Sequence, residues 1–283
     1  MVPSAALILS FPDTTTAAGR DRLVALLADA GLVAIHEDDV VRPSMWTVHF
    51  RDGEARDAAA RAIRATAEYC DVLLEATEIE DEDWARRTQA DLGSVRIGRI
   101  VVAPPWDIPA SAHEIAIIIE PSRGFGTGHH QSTRLCLALL QTRNLAGRHV
   151  IDVGTGSGVL AITAARLGAP YVAAIDVDPD AVDNARENAA RNGVSDVVEV
   201  HVRDLSTAML PPADVVTANL TGSLLQRHAE DLARLVKRGG VLIAAGFTVD
   251  ERDRVVNAFE GRFTTTESAE EDGWLGVVFS DSL

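Results

Sequence analysis

Cysteine, lysine and long apolar runs are all scarce in this sequence. The two cysteines, Cys70 and Cys136, stand far apart and form no CxxC or Cys/His cluster. That spacing excludes a zinc motif or a disulfide framework and points to a reducing, cytoplasmic setting. No metal site is expected. No stretch approaches the ~18–20 apolar residues that cross a bilayer. The apolar segment Ala5–Leu9 has no Lys or Arg before Arg20, so it lacks the charged start of a secretory signal and reads as a strand. A soluble chain without membrane association is expected. Positive charge is short as well: 26 Lys+Arg face 42 Asp+Glu, for a formal net charge of -16. Such a chain repels a phosphate backbone, so direct nucleic-acid binding is not expected. A basic partner or a small molecule suits it better, and acidity for solubility alone also fits.

What is present is globular. The 283 residues are 47% hydrophobic and 24% charged, enough for one large domain or two ordinary ones. Along residues 1–80, Ala5–Phe11 reads as a strand and Thr16–Ala30 as a helix, with Leu23, Leu26 and Leu27 at helical spacing. A strand Leu32–His36, a strand Met45–Phe50, a helix Glu54–Ala67 and a strand Val72–Glu78 follow. The order β-α-β-β-α-β is the split βαβ of a ferredoxin-like α+β domain. These 80 residues hold 14 acidic and 7 basic side chains, a net charge of about -7. Residues 81–112 read as a linker, with a helix starting at Asp81-Glu82-Asp83-Trp84 and a strand Ile97–Val102 ending at Pro104-Pro105-Trp106.

Residues 113–283 read as α/β, with strands at Ile115–Ile119, Val150–Val153, Val172–Asp176, Val197–Val202, Val215–Asn219 and Val241–Ala245 and helices between them. The last two strands, Arg262–Ser268 and Leu275–Phe279, are separated by Glu271-Asp272-Gly273. That leaves no room for a helix, so they form an antiparallel hairpin on a mostly parallel sheet.

The strongest motif is Val150-Ile-Asp-Val-Gly154-Thr-Gly156-Ser-Gly158-Val-Leu-Ala-Ile. A strand running into alternate glycines and then a helix lets a ligand approach the backbone, with amide donors at the helix start. A tight turn with close helix packing is the alternative. Asp176, 22 positions beyond Gly154 and at a strand end, can accept two ribose hydroxyls, while Asp178-Pro179 suits a helix cap. Asp204, two residues past the next strand, is placed to accept from an adenine amino group or is an exposed loop acid. A nicotinamide site uses GxGxxG; this chain has GxGxG preceded by Asp152.

That pattern resembles motif I of the class I S-adenosylmethionine-dependent methyltransferases, whose Rossmann-like seven-stranded sheet ends in the same antiparallel hairpin. Two further stretches narrow the resemblance. Glu120-Pro-Ser-Arg-Gly-Phe125-Gly-Thr-Gly128-His-His130-Gln-Ser-Thr133 resembles the DPGxAFGTGxHxTT signature of the ribosomal protein L11 methyltransferases. Val215-Val-Thr-Ala-Asn219-Leu is similar to that family's segment after strand four, in which an asparagine contacts the cofactor. The resemblance implies an S-adenosylmethionine-dependent protein methyltransferase acting on amino groups of ribosomal protein L11, a basic partner. It places cofactor contacts on Thr133, Gly154, Asp176 and Asn219, to which the loop and strand reading adds Gly156 and Asp204. A monomer is expected. The sequence departs from the family at Glu120-Pro121-Ser122, at Arg123, at His129 and at Leu220-Thr221-Gly222, around the place where an acceptor would enter.

Chemistry bears on the acceptor independently. Enzymes that methylate an amine on a planar base commonly carry Asn/Asp-Pro-Pro-aromatic where this chain has Asn219-Leu220-Thr221-Gly222, and the missing ring removes the stacking surface. An aliphatic amine, on a lysine or an amino terminus, fits better; a different protein acceptor or a small-molecule amine is the alternative. The amine must be deprotonated and placed in line. Asn219 is the candidate catalytic residue, its side-chain carbonyl orienting cofactor or amine, with the 124–128 loop closing over the site. Glu120, His129 and His130 are candidates for proton removal, or else a turn-capping acid and solvated histidines. Phe125 packs on the cofactor or anchors its loop; Trp84 and Trp106 serve interdomain packing or substrate stacking. The one lysine, Lys237, leaves the enzyme few amines to compete with a lysine-bearing substrate.

Overall fold

Side chains along a strand point alternately to its two faces, and β1 (Ser4–Ser10) uses one face to bury Leu7 and Leu9 against helices. The computed structural model describes residues 4–12, 15, 17–37, 44–79, 93–108, 114–120 and 128–281. They divide between two units, Met1–Asp91 and Leu92–Leu283.

In the first unit β1 is followed by α1 (Ala17–Asp29), β2 (Leu32–Glu37), β3 (Met45–Phe50), α2 (Gly53–Ala65) and β4 (Leu73–Ile79). The strand order is β2-β3-β1-β4 with every pair antiparallel, the ferredoxin-like arrangement. Leu7 and Leu9 meet Trp46, Val48 and Phe50 of β3, Leu23 and Leu27 of α1, and Ala59 and Ile63 of α2. Asp52 caps α2 by accepting from the Ala55 amide at 2.8 Å, which satisfies a helix-start donor.

The second unit opens with β5 (Val95–Ile97) and β6 (Ile100–Ala103). The sequence suggests one strand over 97–102; the chain instead turns at Gly98, where φ is 58°, and pairs the two pieces antiparallel. β7 (Ile115–Ile118) pairs parallel with β6 in this separate three-stranded sheet, so the strand read at 115–119 does not join the main sheet. The helix expected from Asp81 lies outside the described residues.

The main sheet comprises β8 (His149–Val153), β9 (Tyr171–Asp176), β10 (Val198–Val202), β11 (Ala213–Asn219), β12 (Val236–Thr248), β13 (Phe263–Glu271) and β14 (Trp274–Asp281). Its seven strands run in the order β10-β9-β8-β11-β12-β14-β13. The first five are parallel and β14 is antiparallel to both its neighbours. This is the class I methyltransferase sheet. Its helices are α3 (Gln131–Leu140), α4 (Val159–Arg166), α5 (Pro179–Arg191), α6 (Gly222–Arg227), α7 (Ala229–Leu235) and α8 (Arg252–Ala258). Both faces are covered, which is why the strands read as continuous apolar runs. Val150 packs with Leu137, Leu160 and Val172 on one side, and Ile151 with Leu232, Phe247 and Phe279 on the other. No helix among the described residues is long and apolar enough to cross a membrane.

Candidate active site

In an open α/β sheet, ligands bind outside the carboxyl ends of the strands where the strand order reverses. Here that place lies between β8 and β11. Gly154 and Gly156 follow β8, Asp176 ends β9, Asp204 follows β10 and Asn219 ends β11, so the topology gathers these predicted residues at one sheet end.

Gly154 has φ 68° and Gly156 φ 53°, the left-handed region that a side chain strains. A Cβ on Gly154 would also fall 2.6 Å from Leu220 Cδ2. The loop is tied to β9: the Gly154 and Thr155 amides donate to the Ile175 carbonyl at 2.9 and 3.0 Å, and the Gly156 amide to Asp176 Oδ2 at 2.9 Å. Asp176 Oδ1 accepts from the Asp178 amide at 3.1 Å. A carboxylate oxygen has two acceptor positions, so each keeps capacity for a ligand hydroxyl. Asp178 caps α5, accepting from the Asp180 amide at 3.0 Å with Pro179 in the first turn, as the sequence suggests.

Asp204 is exposed and closes its own turn. Its Oδ1 accepts from the Ser206 amide at 2.8 Å and from Ser206 Oγ at 2.7 Å, and these bonds hold its carboxyl below the usual range. Val177 and Val202 remain 66% and 49% exposed at the ends of β9 and β10, apolar surface suited to a planar ring.

Beneath the loop, Asp152 is buried. Thr155 Oγ1 donates to its Oδ2 at 2.7 Å and Thr217 Oγ1 to its Oδ1 at 2.6 Å. Burial pushes its pKa up to about 6, against the opposing pull of those hydroxyls and the Ala161 amide. Desolvation wins because the charged form gives up more water than three donors replace.

The other wall of the crevice is α3. Buried Thr133 accepts at Oγ1 from Asn219 Nδ2 at 3.2 Å, which brings together two residues 86 positions apart; among the described residues the Asn219 side-chain carbonyl takes no hydrogen bond. His130 caps α3, its Nδ1 accepting from the Ser132 amide at 3.2 Å. Its ring meets Trp274 edge-on at 4.5 Å, and burial lowers its pKa. Arg134 grips Glu271 at the hairpin tip, Nε to Oε1 at 2.8 Å and Nη2 to Oε1 at 2.6 Å, and also donates to the His129 carbonyl.

Two candidates for proton removal have other employment. Glu120 is ion-paired with Arg191, and His129 Nε2 bonds the Gly93 carbonyl at 3.1 Å. His130, with Nδ1 accepting at the cap, carries its proton on Nε2 when neutral and presents a donor there rather than a base. Phe125, Trp84 and residues 124–127 of the glycine-rich loop lie outside the described residues. Trp106 is 49% exposed in the turn after β6.

Several supporting residues escape a reading by motif. Asn188 is fully buried on α5, and Asn192 nearly so. Asn192 takes both backbone groups of Ile118, accepting from its amide at 2.8 Å and donating to its carbonyl at 2.6 Å. The legible signal is Asn184, Asn188 and Asn192 at intervals of four, one face of a helix that asparagine disfavours. Thr217, two residues before Asn219, is also buried, and the motif around it marks only Asn219. Arg134 and Glu271 are joined only by the fold.

Comparison with known proteins agrees with this geometry. The family model described as ribosomal protein L11 methyltransferase matches residues 26–282. A ribosomal protein L11 methyltransferase from Symbiobacterium thermophilum is 41% identical over 71% of this chain, a match spanning about two thirds, 66%, of that protein's own length. One from Hahella chejuensis is 32% identical over 84% of this chain and 85% of its own. The crystal structure of a ribosomal protein L11 methylase from Lactobacillus delbrueckii subsp. bulgaricus superposes with a TM-score of 0.63 at 26% identity, covering 68% of this chain and 100% of that one. Sheet order, crevice and sequence together place this chain in the ribosomal protein L11 methyltransferase family.

Proposed function

We propose that this protein transfers methyl groups from S-adenosylmethionine to amino groups of ribosomal protein L11, on lysine side chains, the amino terminus or both. The observation that carries the reading is the Thr133–Asn219 hydrogen bond, which sets an amide carbonyl beside a glycine loop and an acid suited to a nucleoside. The residues fit that cofactor. The backbone at Gly154 and Gly156 admits its close approach, Asp176 accepts its ribose hydroxyls, Asp204 receives the adenine amino group, and Thr133 and Asn219 stand at the reacting end. When bound, S-adenosylmethionine supplies a methyl carbon already activated on sulfonium; the amine nitrogen forms the new C–N bond as the C–S bond breaks and its electron pair stays on sulfur.

The chain itself therefore needs no acid for the leaving group. Its tasks are to strip the acceptor ammonium of a proton and to hold the amine in line. The Asn219 carbonyl accepts an N–H of the neutral amine and aims its lone pair at the methyl carbon. The ammonium proton leaves through water to solvent; His130, kept neutral by burial with Nδ1 accepting from the Ser132 amide, carries its proton on Nε2 and can donate to that water but not take a proton from it. The absence of a ring after Asn219 favours an aliphatic amine over a base. The acidic residues 1–80 supply attraction for a basic protein.

The test is methyl transfer from labelled S-adenosylmethionine in a cell lysate, with labelled products identified by mass spectrometry. Label on lysine or amino-terminal nitrogen of L11 is expected. Label on RNA or metabolites with none on L11 would overturn the assignment.

A further inference from the structure

Asn188 uses its full hydrogen-bonding capacity without touching the crevice. Its Nδ2 donates to the Ser157 carbonyl at 2.9 Å and to Asn184 Oδ1 at 3.3 Å. Its Oδ1 accepts from the Glu120 amide at 3.1 Å and from Arg191 Nη1 at 3.0 Å. Ser157 lies inside the cofactor loop, between Gly156 and Gly158. Glu120 is the first residue of the Glu120–Thr133 signature and stands two positions past the end of β7. One buried amide thus joins the two segments, 37 positions apart in sequence.

The peptide it grips is fixed on both sides. While the Ser157 carbonyl faces Asn188, the amide of the same peptide plane, on Gly158, donates to the Thr155 carbonyl at 2.9 Å. Thr155 in turn is tied to Asp152 and to Ile175. Rotating that peptide breaks both bonds, so the loop's conformation depends on Asn188 as directly as on Asp176. Arg191 completes the arrangement from the solvent side by pairing with the Glu120 carboxylate while holding Asn188 Oδ1.

We infer that Asn188 is a positioning residue for the cofactor, holding the Gly154–Gly158 loop in its binding conformation and registering Glu120 against it. The inference rests on the cofactor assignment above. Neighbouring Asn192 offers an internal control: its side chain reaches the Ile118 backbone and the Asn188 carbonyl, and so supports β7 without gripping the loop.

The informative substitution is Asn188→Asp, which keeps an acceptor for Glu120 and Arg191 and removes the donor to Ser157 together with the longer bond to Asn184. S-adenosylhomocysteine affinity by calorimetry, melting temperature, and kcat and cofactor KM are measured for wild type, Asn188→Asp and Asn192→Ala. Asn188→Asp is expected to raise Kd and cofactor KM about tenfold with kcat at saturation within threefold of wild type. Asn192→Ala is expected to lower the melting temperature with Kd within twofold. A folded Asn188→Asp protein with wild-type Kd overturns the inference, as does an equal loss of affinity in Asn192→Ala. Should Asn188→Asp fail to fold, Arg191→Met removes one partner of Asn188 from the surface. A threefold rise in Kd then supports the inference and an unchanged Kd overturns it. Wild-type protein that binds no S-adenosylhomocysteine would indict the cofactor assignment instead.

Discussion

On the β8–β9 side of the crevice, the glycine loop is held by two amides on the Ile175 carbonyl, a third on Asp176, and Asn188 from behind. On the β11–α3 side, Asn219 meets Thr133 through a single 3.2 Å side-chain bond. The first wall is over-determined by backbone. Removing one group there leaves the others in place, so losses should show as weaker binding. The second wall concentrates its task in one amide, so a loss should show as slower chemistry. The contrast separates a surface that recognises a cofactor from one that aims a reaction.

Asn219→Ala tests the contrast hardest. Removing a preorganised polar group aimed at the reacting atoms commonly costs about 10²–10³ in kcat, and a fall of that size is expected with S-adenosylhomocysteine affinity within tenfold and melting unchanged. Near-normal turnover would erase the distinction between the walls. Thr133→Val sharpens it: the shape stays and the acceptor for Asn219 Nδ2 goes, so a roughly tenfold loss in kcat is expected from misaiming alone.

Asp176→Ala is the counterpart on the first wall. It removes both the hydroxyl acceptor and the anchor of the Gly156 amide. Hydrogen bonds to a charged group contribute about 1.5–3 kcal/mol, so the Kd for S-adenosylhomocysteine should rise about 10- to 100-fold in calorimetry. Turnover at saturating cofactor should fall much less. A collapse of kcat at unchanged Kd would reverse the roles given to the two walls.

Legibility in the sequence follows the same division. The glycine loop, Asp176 and the cap at Asp178 were readable because each works through local geometry: a strand end, a turn, a helix start. The parallel strands were readable because burial on both faces leaves unbroken apolar runs. Asn219 and Thr133 could be named only through family resemblance, since a bond between residues 86 apart has no local spacing. The 97–102 segment misled because Ile97 and Ile100–Val102 are apolar on both arms of a tight hairpin, and periodicity sees only one run. Ile115–Ile119 misled because strand composition does not say which sheet a strand joins. Glu120 reads in sequence as a candidate base or a turn cap, and its ion pair is hidden because its partner Arg191 is 71 positions away.

Asp152 lies under both walls, bonded to Thr155 from one and to Thr217 from the other, and its effect falls on stability rather than on binding or turnover. Its folded pKa of about 6 lies above the 3.8 of an unperturbed aspartate. Between about pH 4 and 6 the folded protein therefore keeps a proton that the unfolded chain has released, and folding stability from this group falls as pH rises through that window. The full penalty is at most about 3 kcal/mol, from 1.36 kcal/mol per pKa unit. Asp152→Asn keeps the neutral shape, and the rotatable threonine hydroxyls can still bond it. Urea unfolding from pH 4 to 8 should show the difference in stability, variant minus wild type, rising in the variant's favour through that window and then levelling. A variant less stable than wild type at pH 7.5 would mean that the ionised carboxylate is what the two threonines stabilise. The walls would then share a charged floor.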